Sequence, residues 1–79
     1  MNKIDSDLYI NYILPLEDAL KNENFEKIDF ILETIYTMGM DDKTITKIDD
    51  ILQEATLFSE FREEDYKIEA LNLIEDFKN

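Results

Sequence analysis

Apolar residues recur along most of this chain at the three- and four-residue spacing of amphipathic helices. The first helix is predicted from Asp7 to Asn22, with Asp5 or Ser6 as its N-cap. Its apolar face is broad and contains Leu8, Tyr9, Tyr12, Leu16, Ala19 and Leu20. Pro15 lies inside this run, where it either kinks one helix or begins a second short helix. We favour the kink.

The second helix has clear start and stop signals. Asn24 is a suitable N-cap, and Gly39 provides the left-handed residue that often ends a helix. We therefore predict a helix from Phe25 to Met38. Its inward face repeats at helical spacing through Phe25, Ile28, Ile31, Leu32, Ile35 and Met38.

Two more helices complete the chain. The third is predicted from Asp41 or Asp42 to about Phe58, because early aspartates suit the helix dipole. The fourth is predicted from about Arg62 to Phe77, with a start that no Gly or Pro marks. Their inward residues are Ile45, Ile48, Ile51, Leu52 and Ala55, then Tyr66, Ala70, Leu73, Ile74 and Phe77. Since the connections are short, consecutive helices should be antiparallel. We predict an all-α fold, a small antiparallel bundle of about four helices, with two stacked helical hairpins as the alternative.

Composition restricts the function. The 79 residues make one domain, spanning 1–79, and carry 20 acidic and 8 basic side chains, no His and no Cys, for a net charge of −12. Without His or Cys there is no Ser–His or Cys–His nucleophile and no usual zinc site. The single Gly excludes phosphate-binding loops. We expect a protein that is not an enzyme and needs no cofactor.

An acidic helical protein also raises the question of calcium. The segment DDKTITKIDDIL has Lys43 and Ile45 where an EF-hand loop needs oxygen ligands, and it lacks the central Gly. We expect no metal site. The N-terminal residues reach Asp5 and Asp7 before any apolar stretch, and the apolar stretch that follows is too short to span a bilayer. We expect a cytoplasmic protein that does not contact a membrane.

The acidic residues follow particular helix faces. Asp65, Glu69, Asn72 and Asp76 line up on the fourth helix at spacings of four, three and four, with Arg62 placed to relieve Asp65. This line is either a solvated face or an acidic ridge that docks onto a basic partner.

The second and third helices each combine acids with an apolar group. Phe30 lies near Glu26, Asp29 and Glu33, where it either packs against the first helix or fills a pocket of a partner. On the third helix, Leu57 and Phe61 either seal the corner next to the fourth helix or join Asp50 and Glu54 in a binding surface. The candidate partner-binding residues are Glu26, Asp29, Phe30, Glu33, Asp50, Glu54, Asp65, Glu69 and Asp76.

The run IDDILQEATLFSEFREEDYKIEALNLIEDFKN, from Ile48 to Asn79, resembles small helical immunity proteins of bacterial toxin systems. These include the partners of contact-dependent growth inhibition toxins and of colicin-like nucleases. The resemblance implies a helical inhibitor of a basic toxin. Nucleases present a basic groove to phosphates, which an acidic body can occupy after electrostatic steering.

We therefore expect an immunity protein that neutralises a basic toxin by occluding its active site, with an RNase acting on tRNA or another RNA as the favoured class. Its partner would be the cognate nuclease, without direct nucleic-acid contact, and a monomer is favoured. Two alternatives stay open. One is a nucleic-acid mimic that inhibits a DNA-binding protein, and the other is a non-catalytic adaptor or structural subunit that docks through an apolar groove.

Overall fold

The computed structural model describes residues 9–35 and 42–78, and within these ranges the chain is helical and contains no strand. The elements are a π-helical turn, Tyr9–Ile13, and four α-helices: α1 (Leu14–Lys21), α2 (Phe25–Thr34), α3 (Asp42–Phe61) and α4 (Glu64–Lys78). Helix α1 packs against α2 and α4, and α3 packs against the same two helices. Each helix thus has two neighbours, which confirms the predicted small all-α bundle.

The first helix differs from the single kinked α-helix that we favoured. The described chain begins as a π-helical turn and passes without a break into α1, because Ile13 keeps helical backbone angles (φ −71°, ψ −44°). Pro15 lies in the first turn of α1, where a missing N–H is tolerated. The change of helix type therefore takes place just ahead of Pro15. The proposed caps Asp5 and Ser6 lie outside the described residues.

The turn between α1 and α2 is ordered by backbone hydrogen bonds. The N–H of Glu23 donates to the Leu20 carbonyl (3.2 Å) and that of Asn24 to the Ala19 carbonyl (2.9 Å), the pattern of a Schellman motif. Glu23 occupies its left-handed position, with φ 54°. Asn24 then begins α2 as predicted, because its side-chain oxygen accepts the Lys27 N–H at 3.2 Å.

Helix α2 is shorter than predicted. It ends at Thr34 instead of Met38, and Ile35 is extended (φ −62°, ψ 138°). The Thr34 hydroxyl donates to the carbonyls of Phe30 (2.9 Å) and Ile31 (3.3 Å), and the Ile31 carbonyl also accepts the Ile35 N–H at 2.9 Å. The predicted stop at Gly39 lies outside the described residues.

The boundary between α3 and α4 also differs from the prediction. Helix α3 starts at Asp42, as expected, but continues past Phe58 to Phe61. Phe58, which precedes this extra turn, is buried in the core. Arg62 then adopts a left-handed conformation, with φ 57°, and its N–H donates to the Phe58 carbonyl at 2.7 Å. Arg62 therefore ends α3 instead of starting the fourth helix, which begins at Glu64.

The core lies where the four apolar faces meet. Its buried side chains are Ile13, Leu16, Ala19, Leu20, Ile28, Ile31, Ile48, Ile51, Ala55, Phe58, Ala70 and Ile74. All of these except Ile13 and Phe58 belong to the predicted inward faces. Within the described ranges, no helix has both the length and the apolar content needed to cross a membrane.

Candidate functional site

The predicted acidic face of α2 surrounds an exposed aromatic ring. Phe30 is 64% exposed, so most of its side chain is open to solvent and does not pack against the described part of the first helix. Glu26 and Glu33 are exposed beside it. A shallow depression next to the ring is lined by Asn24, Glu26, Lys27 and Phe30. This surface carries both signs of charge, because Lys27 is one of its walls.

Asp29, the remaining α2 candidate, takes part in holding the bundle together. Its carboxylate accepts a hydrogen bond from the Ser59 hydroxyl, which joins α2 to α3. Lys27, on the other side of α2, lies 3.9 Å from Asp18 of α1. The polar residues of α2 therefore form contacts with both neighbouring helices.

Helices α3 and α4 each carry a line of acidic and apolar residues on one side. On α3, Asp50, Glu54, Leu57 and Phe61 are spaced by four, three and four residues, so they follow one side of the helix. On α4, Tyr66, Glu69, Leu73 and Asp76 are spaced by three, four and three. The rings of Phe61 and Tyr66 lie 6.1 Å apart between centroids. This contact brings the two lines together at the inter-helix connection, and we treat them as one surface of the hairpin.

We call these eight residues the α3–α4 face. Phe61 is 59% exposed and Leu57 is half-buried, while Tyr66 and Leu73 are half-buried where they also pack against the core, as their predicted inward positions require. Asp50, Glu69 and Asp76 are exposed, Glu54 is half-buried, and exposed Asp65 lies one turn before Glu69. Carboxylates and apolar side chains therefore alternate along the face, and we call its apolar members Leu57, Phe61, Tyr66 and Leu73 the seam.

No cation neutralises these carboxylates among the side chains that the structure describes. Asp50, Glu54, Asp65, Glu69 and Asp76 take part in none of the ion pairs there. On α3, the residues before Asp50 on the same side of the helix are basic: Lys47 lies three residues before it and Lys43 seven. The α3–α4 face is therefore acidic from Asp50 onward.

Arg62 does not relieve Asp65 as the sequence suggested. Its guanidinium carbon lies 4.2 Å from the centroid of the Phe25 ring, a cation–π contact that draws the charge toward α2. Phe25 in turn packs on Phe58, with 5.1 Å between ring centroids.

Lys67 is also engaged away from the α3–α4 face. Its ammonium group donates to Glu23 at 2.9 Å, which joins α4 to the turn between α1 and α2, and lies 3.9 Å from Glu64. The hydrogen bond to Glu23 raises the pKa of Lys67 above its usual value of 10.5, although desolvation acts in the opposite direction. Arg62 and Lys67 thus both form contacts that hold the fold together.

The candidate residues therefore fall into two separate groups, one on α2 and one on the α3–α4 hairpin. Sequence reasoning missed Tyr66 and Leu73 as members of the second group. The signal for them was their alternation with Glu69 and Asp76 at helical spacing. Within the described ranges, no three acidic side chains come together as a possible metal site.

Comparison of the chain with protein-family models, with curated proteins and with solved structures finds no match.

Proposed function

We propose that this protein binds and neutralises a basic protein, and that the partner is a bacterial nuclease toxin, with an RNase acting on tRNA or another RNA as the favoured class. The observation that carries the proposal is the combination of a −12 charge with five carboxylates on or beside the α3–α4 face that have no ion pair among the described side chains. Unneutralised surface charge of one sign favours association with a surface of the opposite sign.

The proposed mechanism is occlusion without a chemical step by the inhibitor. A nuclease binds its substrate in a groove rich in Lys and Arg. A compact acidic body is steered toward that groove over distances of about the Debye length, roughly 8–10 Å at moderate salt. Once docked, it excludes the nucleic acid by volume and by charge.

The spacing of the carboxylates favours this proposal over a nucleic-acid mimic. Asp65, Glu69 and Asp76 span eleven residues of α4, or about 16 Å at roughly 1.5 Å per residue. One strand of DNA carries about five phosphates over that distance, at about 3.4 Å each. These three carboxylates of α4 form a sparser line than a phosphate backbone, and the exposed ring of Phe61 has no counterpart along such a backbone.

An inhibition assay tests the proposal. The chain would be mixed with the purified product of the reading frame beside its gene, and RNA cleavage would be followed as the chain is added. We expect inhibition that is complete near one equivalent, with affinity that falls between about 50 and 200 mM salt. A neighbouring product without nuclease activity, or a nuclease that is not inhibited, would contradict the proposal.

A further inference from the structure

We infer that the α3–α4 face, and not the surface around Phe30, is the docking surface, and that it takes a partner surface in which Arg or Lys side chains surround an apolar socket for Phe61. This inference rests on the proposed function, because it assumes a basic protein partner. It adds which side of the bundle is used and which residue is the anchor.

Two phenylalanines compete for the role of anchor. Phe30 and Phe61 are similarly exposed, at 64% and 59%. Phe61, however, continues into half-buried Leu57, Tyr66 and Leu73 along the seam, with its ring already held against Tyr66. An aromatic ring that is partly ordered before binding loses less side-chain entropy on docking. Phe61 is therefore the better-organised anchor.

The two surfaces differ more in charge than in the exposure of their phenylalanines. Lys27 lines the depression beside Phe30, and Asp29 is occupied by Ser59, so that surface offers a basic partner a mixture of attraction and repulsion. Around the seam, Asp50, Glu69 and Asp76 are exposed, Arg62 is turned toward Phe25, and exposed Lys47 lies beyond the end of the face at Asp50. A basic surface with an apolar socket complements the α3–α4 face both in charge and in its apolar anchor, Phe61.

The chain contains matched pairs of residues for the test. Glu69 and Asp76 on α4 are both exposed and seven residues apart, as are Glu26 and Glu33 on α2. The variants Glu69→Lys/Asp76→Lys and Glu26→Lys/Glu33→Lys therefore change the net charge equally on different surfaces. Phe61→Ser and Phe30→Ser form the corresponding apolar pair. Circular dichroism would establish that each variant is folded.

The probe is a short fluorescent peptide containing arginine and leucine, titrated at low salt and followed by anisotropy. We expect Glu69→Lys/Asp76→Lys to weaken binding about 10-fold more than Glu26→Lys/Glu33→Lys, and Phe61→Ser to weaken it about 10-fold more than Phe30→Ser. Equal losses within each pair, greater losses for the α2 variants, or no binding of the peptide to the unaltered protein would overturn the inference.

The two proposals fail in distinguishable ways. If the peptide maps to the α3–α4 face but the neighbouring gene product is not an inhibited nuclease, the proposed function fails while the docking surface stands. If nuclease inhibition is found and is lost in the α2 variants alone, the proposed function stands and the assignment of the surface fails.

Discussion

Replacing Arg62 should separate two opposing contributions at the junction of α3 and α4. A left-handed backbone (φ 57°) costs a residue with a Cβ atom about 1–2 kcal/mol. The cation–π contact with Phe25, at 4.2 Å, contributes about 0.5–1 kcal/mol at an exposed site. Arg62→Ala keeps the backbone cost and removes the contact, so its free energy of unfolding should fall by about 0.5–1 kcal/mol.

Arg62→Gly removes the same contact but also the backbone cost. Part of that gain, about 0.4–1 kcal/mol, is offset by the greater freedom of glycine in the unfolded chain. We therefore expect Arg62→Gly to be about 0.5–1 kcal/mol more stable than Arg62→Ala and close to the unaltered protein.

Urea unfolding followed by circular dichroism measures both differences, provided that the slope of the transition stays constant. The two variants lose the same charge, so the difference between them is free of the effect of the −12 background. An Arg62→Gly protein less stable than Arg62→Ala would refute the backbone argument. An Arg62→Ala protein as stable as the original would show that the contact with Phe25 contributes nothing.

Three further predictions concern stability. Asn24→Ala should lower the free energy of unfolding by about 1 kcal/mol in urea titrations, because the N–H of Lys27 loses its acceptor. Ile74→Ala should lower it by about 2–5 kcal/mol, since Ile74 is completely buried. Lys67 has a raised pKa when folded, so its contribution is present below its usual pKa of 10.5 and is lost as pH rises through the folded value. The urea midpoint of Lys67→Met should therefore decrease less at alkaline pH than that of the unaltered protein. An equal decrease in the two proteins would refute the role of the Glu23 hydrogen bond.

The parts of the fold that the sequence predicts correctly depend on local spacing. The inward positions, the cap at Asn24 and the start of α3 at Asp42 follow from periodicity and from side chains that satisfy helix ends. The errors occur where a helix ends without the expected residue. Arg62 adopts a left-handed angle for which glycine is the usual choice, and α2 ends at Thr34 with neither glycine nor proline next to extended Ile35.

The candidate site was predictable within each helix but not between helices. Periodicity places Asp50 and Glu54 on one line and Glu69 and Asp76 on another. That the two lines adjoin depends on how α3 and α4 are rotated against each other, which the contact between Phe61 and Tyr66 reveals. The direction of Arg62 was equally inaccessible, because it depends on where α2 places the Phe25 ring.

The adjoining acidic lines connect stability with binding. Carboxylates held side by side in the folded protein repel each other more than they do in an extended chain, so they lower folding stability. A basic partner removes this repulsion as it forms its contacts, and binding to the folded state alone raises the free energy of unfolding. Salt shortens the range of both effects, with a Debye length near 3 Å at about 1 M. Added sodium chloride should therefore raise the urea midpoint of the free protein while weakening its complex, and a midpoint that falls with salt would contradict this link between the α3–α4 face and a basic partner.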